Sequence, residues 1–132
     1  MGIILSTADR NTLGADAAAL FNGGAASVYT GASPGPDNAA TGTLLITFAL
    51  PNPFVPAAFA TGVGTVGAVA SAVAGASGNA GYVRFTDSGG SVICDGDVGT
   101  TGSGAAMEFS TLAIVSGDTI QVTGGTITEP GS

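Results

Sequence analysis

Few residues in this chain could do chemistry, and most of them are carboxylates. Its 132 residues include 9 acidic residues, 2 arginines, no lysine and no histidine, for a formal net charge of −7. This composition excludes imidazole acid–base catalysis, Schiff-base chemistry and P-loop phosphate binding. Two arginines are also too few for the basic surface that nucleic acid requires. The residue types therefore favour neither an enzyme nor a nucleic-acid-binding protein.

One acidic cluster could hold an ion. Asp95 and Asp97 flank a glycine, and Asp87 lies across a predicted hairpin from them. Carboxylates can bind Ca²⁺ together with loop carbonyls, although this is not EF-hand spacing. The competing interpretation is a set of solvated carboxylates at strand ends. Asp95, Asp97 and Glu108 are also candidates for the pair of carboxylates that a glycosidase uses. However, the chain has no tryptophan and only 2 tyrosines on which a sugar could stack. We expect no catalytic residue, cofactor or metal, with Asp87, Asp95 and Asp97 as a weak calcium candidate.

Two glycine-rich motifs match known signatures without the required context. Residues 62–67 have the GxGxxG spacing of dinucleotide-binding proteins, but no strand–turn–helix unit fits around them. Residues 31–35 match the nucleophile elbow of hydrolases. Ser33 has no histidine or lysine to act as its base, and Pro34 prevents the helical turn that should follow. We therefore interpret residues 31–35 as a loop.

The central part of the chain is apolar and uncharged. No charged residue occurs from Asn38 to Val83, but glycines interrupt this stretch repeatedly. Residues 54–80 are therefore predicted to form a small-residue strand pair rather than a membrane span. Cys94 is the only cysteine, so no intrachain disulfide can form, and its apolar neighbours predict a buried, inert thiol.

The N-terminal segment has the only helical pattern. A capping box at residues 6–9 precedes an apolar stripe from Leu13 to Phe21, and Asn22-Gly23-Gly24 provides a left-handed stop. We therefore predict an N-terminal arm and short helix over residues 1–24.

Residues 25–132 read as short strands separated by turns, and we assign them to one domain. The strongest strand is Leu44–Leu50, with Leu44, Ile46, Phe48 and Leu50 on one face.

A hairpin follows later in the chain. Tyr82–Thr86 places Val83 and Phe85 inward and Tyr82 and Arg84 outward. Turn residues 87–90 then lead into a return strand over Ser91–Val98. Further strands are predicted over Met107–Val115 and Thr119–Thr128. The predicted fold is mainly β: an antiparallel β-sandwich, jelly-roll-like or a small barrel, with one short N-terminal α-helix.

The surface implied by the composition is poorly protected against association. Gly, Ala, Thr and Ser make up 73 of the 132 residues, and only 8% are charged. Soluble monomers usually have about a quarter of their residues charged. We therefore expect a homo-oligomer, with a trimer favoured, and contact surfaces in residues 1–24 and 54–80.

The order of these segments resembles a family of small structural proteins of tailed bacteriophages and prophages. The resemblance covers nearly the whole chain. It is carried by Phe21-Asn22-Gly23-Gly24, Val28-Tyr29-Thr30-Gly31, residues 38–45, residues 81–90, residues 94–99, residues 120–123 and Ile127-Thr128-Glu129-Pro130.

This resemblance implies a non-enzymatic virion protein, assembled in the host cytoplasm and located in the virion. The expected role is capsid decoration or cementing by packing on the major capsid protein, with no nucleic-acid or membrane partner. A tail or head–tail junction component and a host-surface carbohydrate-binding module are the alternatives. A carbohydrate-binding module would expose Tyr29 or Tyr82.

Overall fold

The computed structural model describes residues 6, 8, 19–52, 54–55, 63–65, 67 and 69–128. In these residues the chain is mainly β, as predicted. Its strands are β1 (Ala25–Tyr29), β2 (Leu44–Ala49), β3 (Val63–Thr65), β4 (Ala72–Val73), β5 (Gly78–Asn79), β6 (Tyr82–Thr86), β7 (Val92–Thr100), β8 (Met107–Phe109), β9 (Ala113–Ile114), β10 (Thr119–Ile120), β11 (Val122–Gly124) and β12 (Thr126–Thr128).

Six strands form the main sheet, in the order β11-β8-β7-β6-β1-β2, and the sheet curls into a half-barrel. Its pairings are antiparallel except for β7 with β8, which is parallel and departs from the all-antiparallel prediction. The connection between β7 and β8 is short for parallel strands. Gly102 and Gly104 make it possible by adopting φ angles of 86° and 82°.

Apolar side chains on one face of the main sheet form the core. Alternation along β1 and β6 places Ala26, Val28, Val83 and Phe85 on this face, and all four are buried. Phe48 stacks on Phe109, with ring centroids 5.8 Å apart. The buried aromatic residues thus join strands from both halves of the chain.

The β6–β7 hairpin confirms the sequence prediction. β6 has the predicted bounds, and β7 continues two residues beyond the predicted end. The Asp87 carboxylate accepts hydrogen bonds from the backbone N–H groups of Gly89 and Ser91, at 2.9 and 3.0 Å. The turn is therefore stabilised by the aspartate itself.

Strand β2 departs from its predicted alternation at its first residue. The register with β1 shifts between Val28 and Tyr29, so that Tyr29 pairs with Leu44 and Leu45 is skipped. Leu45 is consequently buried, whereas Leu44 is 47% exposed. The prediction that Leu44 faces the core with Ile46 is wrong because a β-bulge reverses the alternation.

The C-terminal third contains shorter strands than predicted. The predicted strand at 107–115 is interrupted after Phe109, and the one at 119–128 divides into three. The short strands of the small-residue region pair with this third: β3 with β12, β4 with β10, and β5 with β9. They therefore do not form the predicted pair with one another.

Most of the predicted N-terminal helix lies outside the described residues. The turn that was expected to end it is present at residues 20–23, and Gly23 has a φ of 70°. The Gly24 N–H donates to the Phe21 carbonyl at 3.0 Å. Most of the GxGxxG segment at 62–67 is described, and β3 occupies its centre.

Candidate functional site

The three aspartates of the calcium candidate each bind a different partner. Asp87 caps its own turn, Asp95 binds Arg84, and the Asp97 carboxylate accepts the Ala106 N–H at 2.9 Å. Among the described residues, no group of three or more histidine, cysteine or acidic side chains is placed to hold a metal ion. The candidate residues are thus not brought together.

Arg84 and Asp95 form a closely bonded ion pair. They face each other across the β6–β7 ladder. Arg84 Nε donates to Asp95 Oδ1 at 2.7 Å, and Nη2 donates to Oδ2 at 3.0 Å. This two-point geometry is the strong form of an arginine–carboxylate contact. The side chains are 7% and 5% exposed, so the pair is shielded from solvent.

The shield is the loop between β1 and β2, residues 30–43, which we call the strap. Arg84 Nη1 donates to the Asn38 carbonyl at 2.8 Å, and Nη2 donates to the Gly35 carbonyl at 2.9 Å. Gly35 has a φ of 96°, a conformation that favours glycine. One guanidinium therefore joins the hairpin to the strap.

Tyr82 holds the far end of the strap. Its hydroxyl donates to the Thr41 carbonyl at 2.8 Å and accepts the Thr41 N–H at 3.1 Å. Its ring stacks on Tyr29, its cross-strand neighbour, at 5.3 Å. Tyr82 is only 2% exposed and Tyr29 is partly buried, so Tyr82 does not provide the open stacking surface expected of a carbohydrate module.

Ser33, the central residue of the elbow-like motif, also binds Asp95. Its hydroxyl donates to Asp95 Oδ2 at 2.6 Å. The Arg84 hydrogen bonds lower the pKa of the Asp95 carboxyl; burial opposes this effect, and the Ser33 hydrogen bond reinforces it. Because this carboxylate is stabilised in its charged form, it is a weak base. The Ser33–Asp95 contact therefore anchors the strap and does not form a nucleophile–base pair.

We call Ser33, Tyr82, Arg84 and Asp95 together the latch. Sequence reasoning placed Tyr82 and Arg84 on the outward face, and they do lie opposite the core. They are nevertheless buried, because the strap covers this face. The sequence signal for the latch is a lone arginine directly after the uncharged stretch, because burial of such a residue requires a nearby acid and carbonyls.

Glu108 also has a structural role. Its carboxylate accepts the N–H groups of Gly104 at 2.7 Å and Gly102 at 3.3 Å, and it is 8% exposed. It therefore fixes the tight connection that leads into β8. Cys94 is half-buried against the core, and burial followed by the nearby Asp95 charge raises the pKa of its thiol. A raised pKa keeps the thiol protonated and less reactive.

The second feature that could have a function is the outer edge of β2. The strand is the last in the main sheet. Beside it runs a shallow groove of about 420 Å³, lined by Leu44, Leu45, Ile46, Thr47, Val73 and Gly75. Leu44 and Val73 are 47% and 62% exposed. This uncharged surface, which we call the β2 edge, is suited to contact with another protein surface.

The part of the chain that the structure describes contains no helix long and apolar enough to cross a membrane. Comparison with protein-family models, with curated proteins and with solved structures finds no match for this chain.

Proposed function

We propose that this chain is a non-enzymatic structural protein of a tailed-bacteriophage virion, acting in capsid decoration or cementing on the major capsid protein. The observation that carries the proposal is the character of the exposed large side chains. Among the residues that the structure describes, five large apolar side chains are between 43% and 62% exposed: Leu20, Leu44, Val73, Val92 and Val115. With only 9 acidic and 2 basic residues, the chain has few charged side chains that could lie between these apolar positions and oppose association.

The roles of the polar groups support a non-enzymatic function. Arg84 and Asp95 are used to close the strap, and Glu108 holds a backbone turn. None of these three side chains is left with its charge facing an open cleft, as acid–base catalysis requires. Their chemistry stabilises a shape, which is what a structural subunit needs.

A surface rich in small residues suits a cementing role. Gly and Ala side chains let two backbones approach closely, and close approach adds dispersion contacts without long side chains to order. Because the stretch from Asn38 to Val83 is uncharged, burial there against a capsid subunit carries little desolvation cost. The proposal includes a sandwich-like closure, jelly-roll-like or barrel-like, and a short N-terminal helix on the β domain.

The test is the copy number of this chain in purified particles, measured by quantitative mass spectrometry against the major capsid protein. A ratio near one to one supports the capsid role. A few copies per hundred capsid proteins overturns that role and favours a tail or head–tail junction component. Absence from the particle overturns both virion roles and favours the carbohydrate-binding alternative.

A second measurement tests the cementing action itself. Particles assembled without this chain are expected to release their DNA at a lower temperature than complete particles. Adding back the purified chain should restore the release temperature. Equal release temperatures with and without the chain would overturn the cementing role even if the copy number is high.

A further inference from the structure

The backbone of β2 has groups that face away from the main sheet. The Leu50 N–H donates to the Gly24 carbonyl, so alternation in the antiparallel ladder directs Ile46 and Phe48 toward β1. Thr47 and Ala49 then direct their N–H and C=O groups to the opposite side. The Leu45 carbonyl also faces away from β1. It accepts the Gly75 N–H at 2.9 Å.

Gly75 covers only one end of this edge. Within the residues that the structure describes, no backbone hydrogen bond outside the main sheet reaches Thr47 or Ala49. Proteins commonly protect such edges with lysine, proline or an inward-pointing charge. Here Pro51 and the bulge at Leu45 limit pairing at the two ends, and the stretch between them carries none of these protections.

We propose that the β2 edge binds a second copy of this chain, through antiparallel pairing of β2 with β2 across a twofold axis opposite Phe48. This register places Thr47 of each copy opposite Ala49 of the other and forms about four backbone hydrogen bonds. The exposed Leu44 and Val73 lie beside the paired stretch, so the pairing would cover part of both side chains.

The lack of charge at the β2 edge is the reason to choose a second copy as the occupant. Two chains of net charge −7 repel each other wherever their carboxylates approach. The β2 edge lies in the middle of the uncharged stretch from Asn38 to Val83, so self-pairing there brings no neighbouring like charges together. A strand pairing with itself also needs no other sequence to match its register. This inference goes beyond the proposed function and does not depend on it.

The experiment compares two lysine substitutions in the full chain. Val73→Lys places a charge beside the groove, whereas Val92→Lys makes the same change at an exposed valine on β7, three strands away in the sheet order. Sedimentation equilibrium over a range of concentrations gives the mass. The wild type and Val92→Lys should sediment at twice the 12.4 kDa chain mass. Val73→Lys should weaken the association by at least tenfold.

A second variant tests the backbone bonds directly. Thr47→Pro removes an N–H that points away from β1, so proline at this position is compatible with an edge strand. It is expected to sediment as a monomer while its far-UV circular dichroism matches the wild type. If it unfolds, Val73→Lys decides the question alone.

Three results would overturn the proposal: a monomeric wild type at every concentration, a mass of three chains, or equal association by Val73→Lys and Val92→Lys. The trimer favoured by the sequence would appear as the second of these. None of these masses changes the copy number expected in the particle, so the two proposals can fail separately.

Discussion

Replacing Asp95 by Asn should destabilise the fold strongly, although it only exchanges one carboxylate oxygen for an NH2 group. Asp95 is the only charged partner of Arg84 within the residues described, and both side chains are almost completely shielded. An amide cannot accept the two charge-assisted hydrogen bonds, so the variant leaves the guanidinium positive, buried and short of acceptors. The strap would then lie over an uncompensated charge.

The expected magnitude follows from this geometry. Breaking a buried ion pair by removing one partner costs about 3–5 kcal/mol. The pair lies beneath a single loop and not in the centre of the core, so we take about 3 kcal/mol from the lower end of that range. With an unfolding entropy of about 2.1 cal/mol/K per residue, a 132-residue chain should lose roughly 11 °C in Tm.

The assay is urea and thermal denaturation followed by circular dichroism, with Asp37→Asn as the matched control. Asp37 lies in the same strap but is exposed, so its loss should change the free energy of unfolding by less than about 0.5 kcal/mol. If Asp95→Asn stays within that margin of Asp37→Asn, the latch does not stabilise the fold and the reasoning is refuted.

Three further perturbations test other parts of the argument. The folded-state pKa of Asp95 is lowered, so its contribution to stability is complete above the unfolded-state pKa of about 3.9 and is lost as the pH falls through the folded-state pKa. In urea titrations the advantage of the wild type over Asp95→Asn should therefore shrink below about pH 4, and a constant difference down to about pH 2 would contradict this. Phe109→Ala removes a fully buried ring and should cost about 3–5 kcal/mol. Val115→Ala, at a position that is 54% exposed, should cost less than about 0.5 kcal/mol in the same denaturation experiment, and equal losses would contradict the assigned core. Gly81→Ala would place a methyl group against the strap backbone and should cost about 1–3 kcal/mol, whereas Gly75→Ala enters open space. Equal melting temperatures for these two variants would argue against that close approach.

The parts of the fold that could be predicted are those governed by local sequence. The β6–β7 hairpin follows from alternation on both sides of a turn whose aspartate caps it. The loop at residues 31–35 follows from its glycine and proline content. Cys94, predicted to be buried, packs against the core but is only half-buried, so that prediction is confirmed in part.

The parts that could not be predicted depend on contacts between distant segments. Leu44 has the spacing of a core residue, but a bulge against β1 turns it outward. Arg84 has the spacing of a solvated side chain, but a loop more than 40 residues earlier covers it. The two-residue strands β4 and β10 are too short to show alternation in the sequence. They form because they pair with each other. The contacts that form the latch therefore cannot be predicted from local sequence patterns, because they join residues of separate segments.

The sequence separations within the latch predict an order of folding. The Arg84–Asp95 pair spans 11 residues and can form within an isolated hairpin, whereas the bonds from Arg84 to the strap span 46 and 49 residues. Closing those longer loops has a larger entropic cost, so the strap should dock late, onto a β6–β7 hairpin that has already formed. Contacts made after the folding barrier slow unfolding and leave the folding rate almost unchanged. The hydrogen bonds between Arg84 and the strap are thus expected to act mainly on the lifetime of the folded chain, whereas the Arg84–Asp95 pair can already contribute while the hairpin forms.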